Sequence, residues 1–397
     1  MLTPDRTEDG RTDVATSGAR KRTGATALAG TAGLTGAEAL ALRMSGLLLR
    51  PHPTARPKDV AGVVEWFGAM QAQDAASGLW SLGLRLPGWT QADVWAALER
   101  REALRTWPMR GTVHLVPSRD ARWMLEVTGV RALAGVERRR AFLGLTEAEA
   151  DRAADVLGAA LTGGVRLTRA QCLAALAAAG IETTGQRGYH LLWYAAQQGV
   201  TCIAPHVDGE QTFALLDEWV PDPRRPDRDE ALGLLALRYF RSHGPTTRQD
   251  FAGWTGLTAA DAKRGIAAAG AALMTVTVDG VEAVVDPALL DAPRAPADDV
   301  HTLPGFDEYL LGFKDRSLMV DAAHQQAIIP GGNGVFQPTV VRGGRVVGTW
   351  KRTLGRAKVK VAVRPLVEVD AATRSRVEAA LTAYAAFVGL PPTIDWA

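Results

Sequence analysis

The stretch Pro245-Thr-Thr-Arg-Gln-Asp-Phe-Ala-Gly-Trp-Thr-Gly-Leu-Thr-Ala-Ala-Asp261, with the later run Leu273-Met-Thr-Val-Thr-Val-Asp-Gly-Val-Glu-Ala-Val-Val285, decides how this chain folds. It holds two Thr-x-x-Asp signals, Thr247 to Asp250 and Thr258 to Asp261. Each sets a hydroxyl where the first free N–H groups of a helix need an acceptor, with an acid three residues on to return the bond. Ala231 to Ser242 precedes them with apolar residues at helical spacing. Gly253-Trp-Thr-Gly256 stops the helix opened by the first signal, and the second helix runs to Ala269. Two β-branched runs, Leu273 to Val278 and Val281 to Val285, then flank Asp279-Gly280, a turn whose residues tolerate the left-handed backbone of a tight hairpin. Three helices followed by a hairpin is the winged-helix order. One helix of such a unit can enter a major groove, and the same unit also docks proteins.

The pattern recurs upstream. Thr168-Arg-Ala-Gln171 opens a helix that Gly180 ends, a helix from Tyr189 to Gln198 follows, and Thr201 to Val207 turns through Asp208-Gly209 into Gln211 to Leu216. Earlier still, a helix begins near Gly36-Ala-Glu-Ala-Leu40, and Val60, Val63, Val64, Phe67 and Met70 share a helical face. Thr90-Gln-Ala-Asp93 opens another helix, and Leu104 to Met109 and Thr112 to Val116 flank Arg110-Gly111 as a hairpin. The fold class is therefore α+β: tandem winged-helix repeats with a C-terminal mixed α/β segment. The boundaries read as an unstructured extension over 1–36, winged helices over 37–150, 151–226 and 227–292, and an α/β domain over 297–397. Prolines at Pro221 to Asp229 and Asp291 to Asp298 mark linkers. The C-terminal part reads as strands at Thr339 to Val341, Arg345 to Trp350 and Lys358 to Val363 and a helix from Ala371 to Val388.

The 397 residues carry 45 Lys+Arg against 43 Asp+Glu, so any nucleic-acid contact must come from a local basic face. Two cysteines, Cys172 and Cys202, make neither a disulfide framework nor a metal cluster and fit a reducing cytoplasm. No phosphate-binding glycine loop, His-Glu-x-x-His pair or membrane-length apolar run is present, so no cofactor, metal or membrane partner is expected, and a monomer is. Residues 1–36 are poor in large apolar residues, which an upstream misassigned start would also explain.

Gln71-Ala-Gln73-Asp74 stands apart chemically. Two amides cannot deprotonate water, but they can aim it at a bond already prepared to break. On a regular helix, positions two apart point in nearly opposite directions, so convergence needs a helix end or extended backbone. The helical periodicity stops at Met70, which permits this. The alternative is a chance surface pair. Asp74 suits capping of the next helix more than electrostatic assistance. His114, on the return strand of the first hairpin, reads as structural or as a supporting residue. Arg110 at the turn tip reads as a phosphate contact or a turn-flanking charge. Lys351-Arg-Thr-Leu-Gly-Arg-Ala-Lys-Val-Lys360 holds five bases (Lys351, Arg352, Arg356, Lys358 and Lys360) and no acid, suiting phosphate contact or a solvated strand. Gly343-Gly344 marks a second turn that could probe a minor groove. Asp307, Glu308, Lys314, Asp315 and Arg316 read as an ion-paired scaffold.

Four blocks fall in one order: Gln71 to Asp74, Arg105-Thr-Trp-Pro-Met-Arg-Gly-Thr-Val-His-Leu115, Phe306-Asp-Glu-Tyr-Leu-Leu-Gly-Phe-Lys-Asp-Arg316 and Gly332-Asn-Gly-Val-Phe336. Together they resemble the winged-helix DNA glycosylases of the azinomycin-resistance (AlkZ-like) family, over residues 36 to 397. The resemblance implies excision of alkylated purines from double-stranded DNA, bulky N7 adducts and some interstrand crosslinks included. It also implies that Gln71 and Gln73 are the catalytic pair, with Ala72 as the small residue between them. An acid in the second position would mark a separate branch. Without the four blocks, a non-catalytic DNA-binding regulator or a protein-interaction module remains open.

Overall fold

The computed structural model describes residues 33–294, 298–332 and 334–397. Gly33–Leu34 is a short strand, β1, and Thr35 boxes with Glu38 to cap α1 (Gly36–Gly46). Asp59 caps α2 (Val60–Phe67), whose Val60, Val63, Val64 and Phe67 are buried as their spacing requires. Gly68 ends it at φ 80°, a conformation a side chain would resist. Strand β2 (Met70–Gln71), α3 (Ala75–Arg85), α4 (Gln91–Glu99), β3 (Ala103–Thr106) and β4 (His114–Pro117) follow. Four helices fill the next stretch: α5 (Ala121–Thr128), α6 (Val130–Leu133), α7 (Val136–Phe142) and α8 (Glu147–Ala160).

Next come β5 (Leu167–Thr168), α9 (Arg169–Ala178), α10 (Arg187–Gln197), β6 (Thr201–Val207), β7 (Glu210–Leu215) and α11 (Leu216–Trp219). Then α12 (Arg228–His243), α13 (Arg248–Thr255) and α14 (Ala259–Ala269) lead into the hairpin β8 (Met274–Val278) and β9 (Val281–Val285). Thr247 and Thr258 accept from the backbone N–H of Asp250 and Asp261, and Gly256 ends α13 in the left-handed region, as the sequence signals require. The remainder is β10 (Val300–Leu303), α15 (Glu308–Leu311), α16 (Gln325–Ile328), β11 (Thr339–Arg342), β12 (Arg345–Leu354), β13 (Val359–Pro365), α17 (Ala371–Phe387) and β14 (Pro392–Trp396).

The strands build three sheets, ordered β1-β8-β9, β10-β11-β12-β13-β14 and β2-β4-β3-β6-β7-β5. Several expectations change here. The first two hairpins are not separate wings, because Arg105 of β3 pairs with Ile203 of β6 and joins them in one sheet. The first hairpin is also more open than its Arg110-Gly111 turn suggests. That turn is present, with φ 55° and 69°, inside a loop spanning residues 107–113. The Gly343-Gly344 turn cannot probe a groove: Gly344 lies buried against Leu40, and its carbonyl accepts the Tyr309 hydroxyl at 2.6 Å. The exposed turn of that sheet is instead the one joining β12 to β13. Gly33 and Leu34 are not part of an unstructured run, since they pair in parallel with Thr277 and Val278. The rest of the expected extension, residues 1–32, lies outside the described residues.

The described residues cluster as one compact unit. Helix α3 fastens the C-terminal sheet to it. Trp80 Nε1–H donates to the Thr302 carbonyl at 2.9 Å, and Ser81 Oγ–H to Asp307 Oδ2 at 2.7 Å. Arg85 meets Asp307 at 2.9 Å with both side chains buried, and its guanidinium lies 4.9 Å above the Phe67 ring. Removing one partner of such a buried pair costs roughly 3–5 kcal/mol, because the other charge is left stranded. This clamp sits one helix from Gln71-Ala-Gln73 and gives that segment a rigid support.

Candidate functional site

Gln71 ends β2, and Gln73 follows in a bend just before α3, exposed, while Ala72 between them is buried. Ala72 is buried, and a Cβ built on Gly78 in the first turns of α3 would stand 3.0 Å from the Ala72 Cβ. The smallness of Ala72 and the absence of a side chain at Gly78 together let α3 start directly behind the pair. The segment is sewn to β4: Gln71 pairs with His114, and Ala72 N–H donates to the Val113 carbonyl at 2.9 Å.

Both glutamine carbonyls are held by backbone. Gln71 Oε1 accepts the Gln73 N–H at 3.3 Å, and Gln73 Oε1 accepts the Val113 N–H at 3.1 Å. Gln71 is buried and Gln73 exposed. Neither side-chain NH₂ donates to another described residue. Each carbonyl oxygen keeps a second lone pair, so each amide is fixed in rotamer yet able to take one more proton donor.

Beneath the pair lies Glu308, which sequence reasoning placed in a charged scaffold and not at the site. Its carboxylate is buried, Oε1 accepting the Gln71 N–H at 2.9 Å and Oε2 the Trp254 Nε1–H at 2.8 Å. His243 Nε2 faces Oε2 at 3.4 Å. Burial pushes the Glu308 carboxyl up, but His243 and the Gln71 N–H outweigh it, and the group stays below its ordinary value. His114, opposite Gln71, is fully buried; its Nδ1–H donates to the Thr112 carbonyl at 2.8 Å and its Nε2 has no partner. Burial, then the Arg110 charge, lowers its pKa to about 4, so it is a neutral imidazole at pH 7.

Asp74 precedes α3 but caps no N–H with its side chain. Its Oδ2 instead accepts Ser77 Oγ–H at 2.6 Å and pairs with Arg352 at 2.9 Å. Arg352 thus ties β12 to the glutamine segment. Register explains why it alone among the five bases does so. Arg352 pairs with Val361, on the β13 face that carries buried Val359, Val361 and Val363, whereas Lys351 pairs with Ala362 and Lys360 with Thr353 on the opposite face. Lys351, Arg356, Lys358 and Lys360 are exposed. Arg110 is committed elsewhere: its guanidinium donates to the Gly253 and Trp254 carbonyls at 2.8 and 2.7 Å, satisfying the end of α13. Among the described residues no His, Cys, Asp and Glu cluster could hold a metal ion, and no helix is long and apolar enough to cross a membrane.

The seam thus fixes two amides beside a buried carboxylate, within an α/β scaffold of several sheets. The chain matches the AlkZ-like DNA glycosylase family over residues 64–387 and belongs to it. It is 28% identical over 327 residues to an interstrand DNA cross-link repair glycosylase of Streptomyces sahachiroi, covering 79% of this chain and 87% of that protein. Its structure is similar to that of the Streptomyces sahachiroi DNA glycosylase AlkZ, with a TM-score of 0.75 and 26% identity over 91% of this chain and 100% of the other.

Proposed function

We propose that this protein hydrolyses the N-glycosidic bond of alkylated purines in duplex DNA, N7 adducts in particular, with bulky adducts and interstrand crosslinks within its range. Such an activity serves DNA repair or resistance to a DNA-alkylating toxin. In this reading the winged-helix unit of α12, α13, α14 and the β8–β9 hairpin helps hold the duplex, and the exposed bases Lys351, Arg356, Lys358 and Lys360 contact its phosphates. The crosslink component draws on the name of the Streptomyces sahachiroi relative.

The observation that carries the reading is the anchoring of both glutamine carbonyls by backbone N–H groups. An N7-alkylated purine is cationic, so its bond to C1′ breaks with the electron pair passing to the base and neutralising it. Positive charge builds on the sugar. Water adds its oxygen to C1′ and loses a proton to solvent. Gln71 and Gln73 accept the hydrogens of that water with their free lone pairs, and their fixed carbonyl dipoles face the developing cation. The carboxylate of Asp74 lies next to them, held by Arg352. No lysine is among the groups bonded to the pair, which favours simple hydrolysis over a Schiff-base lyase step.

The test is release of free base from duplexes carrying N7-methylguanine or a bulkier N7 adduct. The Gln71→Ala/Gln73→Ala variant should be slower by at least about a hundredfold, the cost of losing a positioned nucleophile. Undiminished release would remove the pair from the mechanism. A wild-type protein that binds DNA but releases no N7-alkylated base would end the reading as an alkylpurine glycosylase.

A further inference from the structure

Behind the loop that holds Gln73 lies a cavity of about 310 Å³, lined by Gly111, Arg139, Tyr189, His190 and Trp193 among others. Gly111 is two residues from Val113, whose N–H binds Gln73, and two residues span at most about 7 Å of chain. At φ 69° Gly111 lets the loop lie flat on the cavity wall, where an added Cβ would meet Trp193 Nε1 at 3.3 Å. The cavity wall is aromatic. His190 and Trp193 stack with centroids 5.5 Å apart at 29°, and Tyr189 stands 42% exposed beside them. The rim is cationic, with Arg169 over the Tyr189 ring at 5.5 Å and Arg139 over Phe142 at 5.1 Å. Phe142 itself is 76% exposed.

His190 packs into this wall, only 5% exposed. Burial, then Arg139 and Arg140, brings its pKa to about 4, so the ring stays neutral. Flat aromatic walls and a cationic mouth together suit a planar aromatic group.

We propose that this cavity receives a planar aromatic group presented by the damaged DNA and so selects which lesions reach Gln71 and Gln73. The inference rests on the glycosylase reading above. The group has two possible sources, an aromatic arm of the adduct or an unstacked nucleobase. Two duplexes separate them, one carrying N7-methylguanine and one carrying N7-(naphthylmethyl)guanine. The wild type must release both bases; if it does not, the glycosylase reading is at fault and not the cavity. Trp193→Ala should slow single-turnover release of the naphthyl base by about tenfold or more, the usual effect of losing one stacking platform. Release of the methyl base unchanged assigns the cavity to the adduct arm, and an equal fall on both assigns it to a nucleobase. Trp193→Phe should recover most of either loss. Tyr189→Ala, at an exposed position, repeats the test if Trp193→Ala folds poorly. Unchanged rates for both duplexes in the Trp193→Ala and Tyr189→Ala proteins would overturn the proposal.

Discussion

Replacing Glu308 with glutamine changes one atom's chemistry and almost no volume, yet it should disturb the site. The carboxylate uses one oxygen for the Gln71 N–H and the other for the Trp254 Nε1–H. An amide has one oxygen, so its NH₂ must face one of these two donors. A buried donor left unpaired costs about 1–3 kcal/mol. Taking about 2 kcal/mol, and an unfolding entropy of about 2.1 cal/mol/K per residue, which makes roughly 1.2 °C per kcal/mol for a chain of this size, the melting temperature of Glu308→Gln should fall by about 2–3 °C. The Trp254→Phe background removes one of the competing donors. There the amide oxygen can serve Gln71 while its NH₂ turns to His243 Nε2, 3.4 Å from the present Oε2. The same substitution should therefore cost at least about 1 kcal/mol less in that background, a non-additivity expected only of groups sharing one network. Urea unfolding of the four proteins measures it. pH adds a second reading. The Glu308 carboxyl sits below its ordinary value when folded. Its contribution is thus complete above the unfolded carboxyl pKa of about 4.3 and is lost as pH falls through the folded value. The gap between wild type and Glu308→Gln should close in acid. Equal costs in the two backgrounds, or a Glu308→Gln protein as stable as wild type at pH 7, would refute the pinning of Gln71 by this carboxylate.

Other outcomes follow from the same geometry. His114 and His190 have folded pKa values lowered to about 4, so both favour the neutral ring; stability should be full above about pH 6.5 and decline as pH falls toward 4, with a shallower slope in His114→Asn, measured by denaturant midpoints across that range. Gly78→Ala forces a Cβ to 3.0 Å from Ala72; it should cost about 1 kcal/mol by thermal unfolding, yet slow base release more than that loss of stability implies. Asp74 is half-exposed, so the Asp74→Asn and Arg352→Ala changes should couple by no more than about 1 kcal/mol in a double-mutant cycle. Replacing Lys358 and Lys360 with alanine should weaken duplex binding evenly across sequences and lower the salt slope of log K by about 2, read by fluorescence anisotropy at several salt concentrations.

The helices and hairpins that could be read from sequence are those whose determinants are local. Thr90, Thr168, Thr247 and Thr258 sit at helix starts because a hydroxyl and an acid or amide three residues on settle the cap between themselves. Asp208-Gly209 and Asp279-Gly280 turn because both residues of each pair take positive φ. The same reasoning would have found α8, since Thr146 and Glu149 form an equal box. Edge pairings stayed hidden. Strands β1 and β2 have two residues each, and nothing in Gly33–Leu34 or Met70–Gln71 announces a partner more than forty residues away.

The candidate site divides along the same line. Gln71 and Gln73 stand out in sequence as two amides two residues apart at the point where helical periodicity ends, which is a local signal. The groups that hold them were not. Glu308 reaches Gln71 across 237 residues and Arg352 reaches Asp74 across 278. In sequence, Glu308 stands beside Asp307 and looks like one more charge in a mixed block. In the fold the two neighbours diverge. Asp307 neutralises Arg85 and fastens the C-terminal sheet to α3, while Glu308 turns the other way and takes the Gln71 N–H. One short helix start therefore both locks the two halves of the molecule together and sets the height of the glutamine pair. A substitution that loosens the lock at Asp307 should reach the site through Glu308, although Asp307 touches neither glutamine.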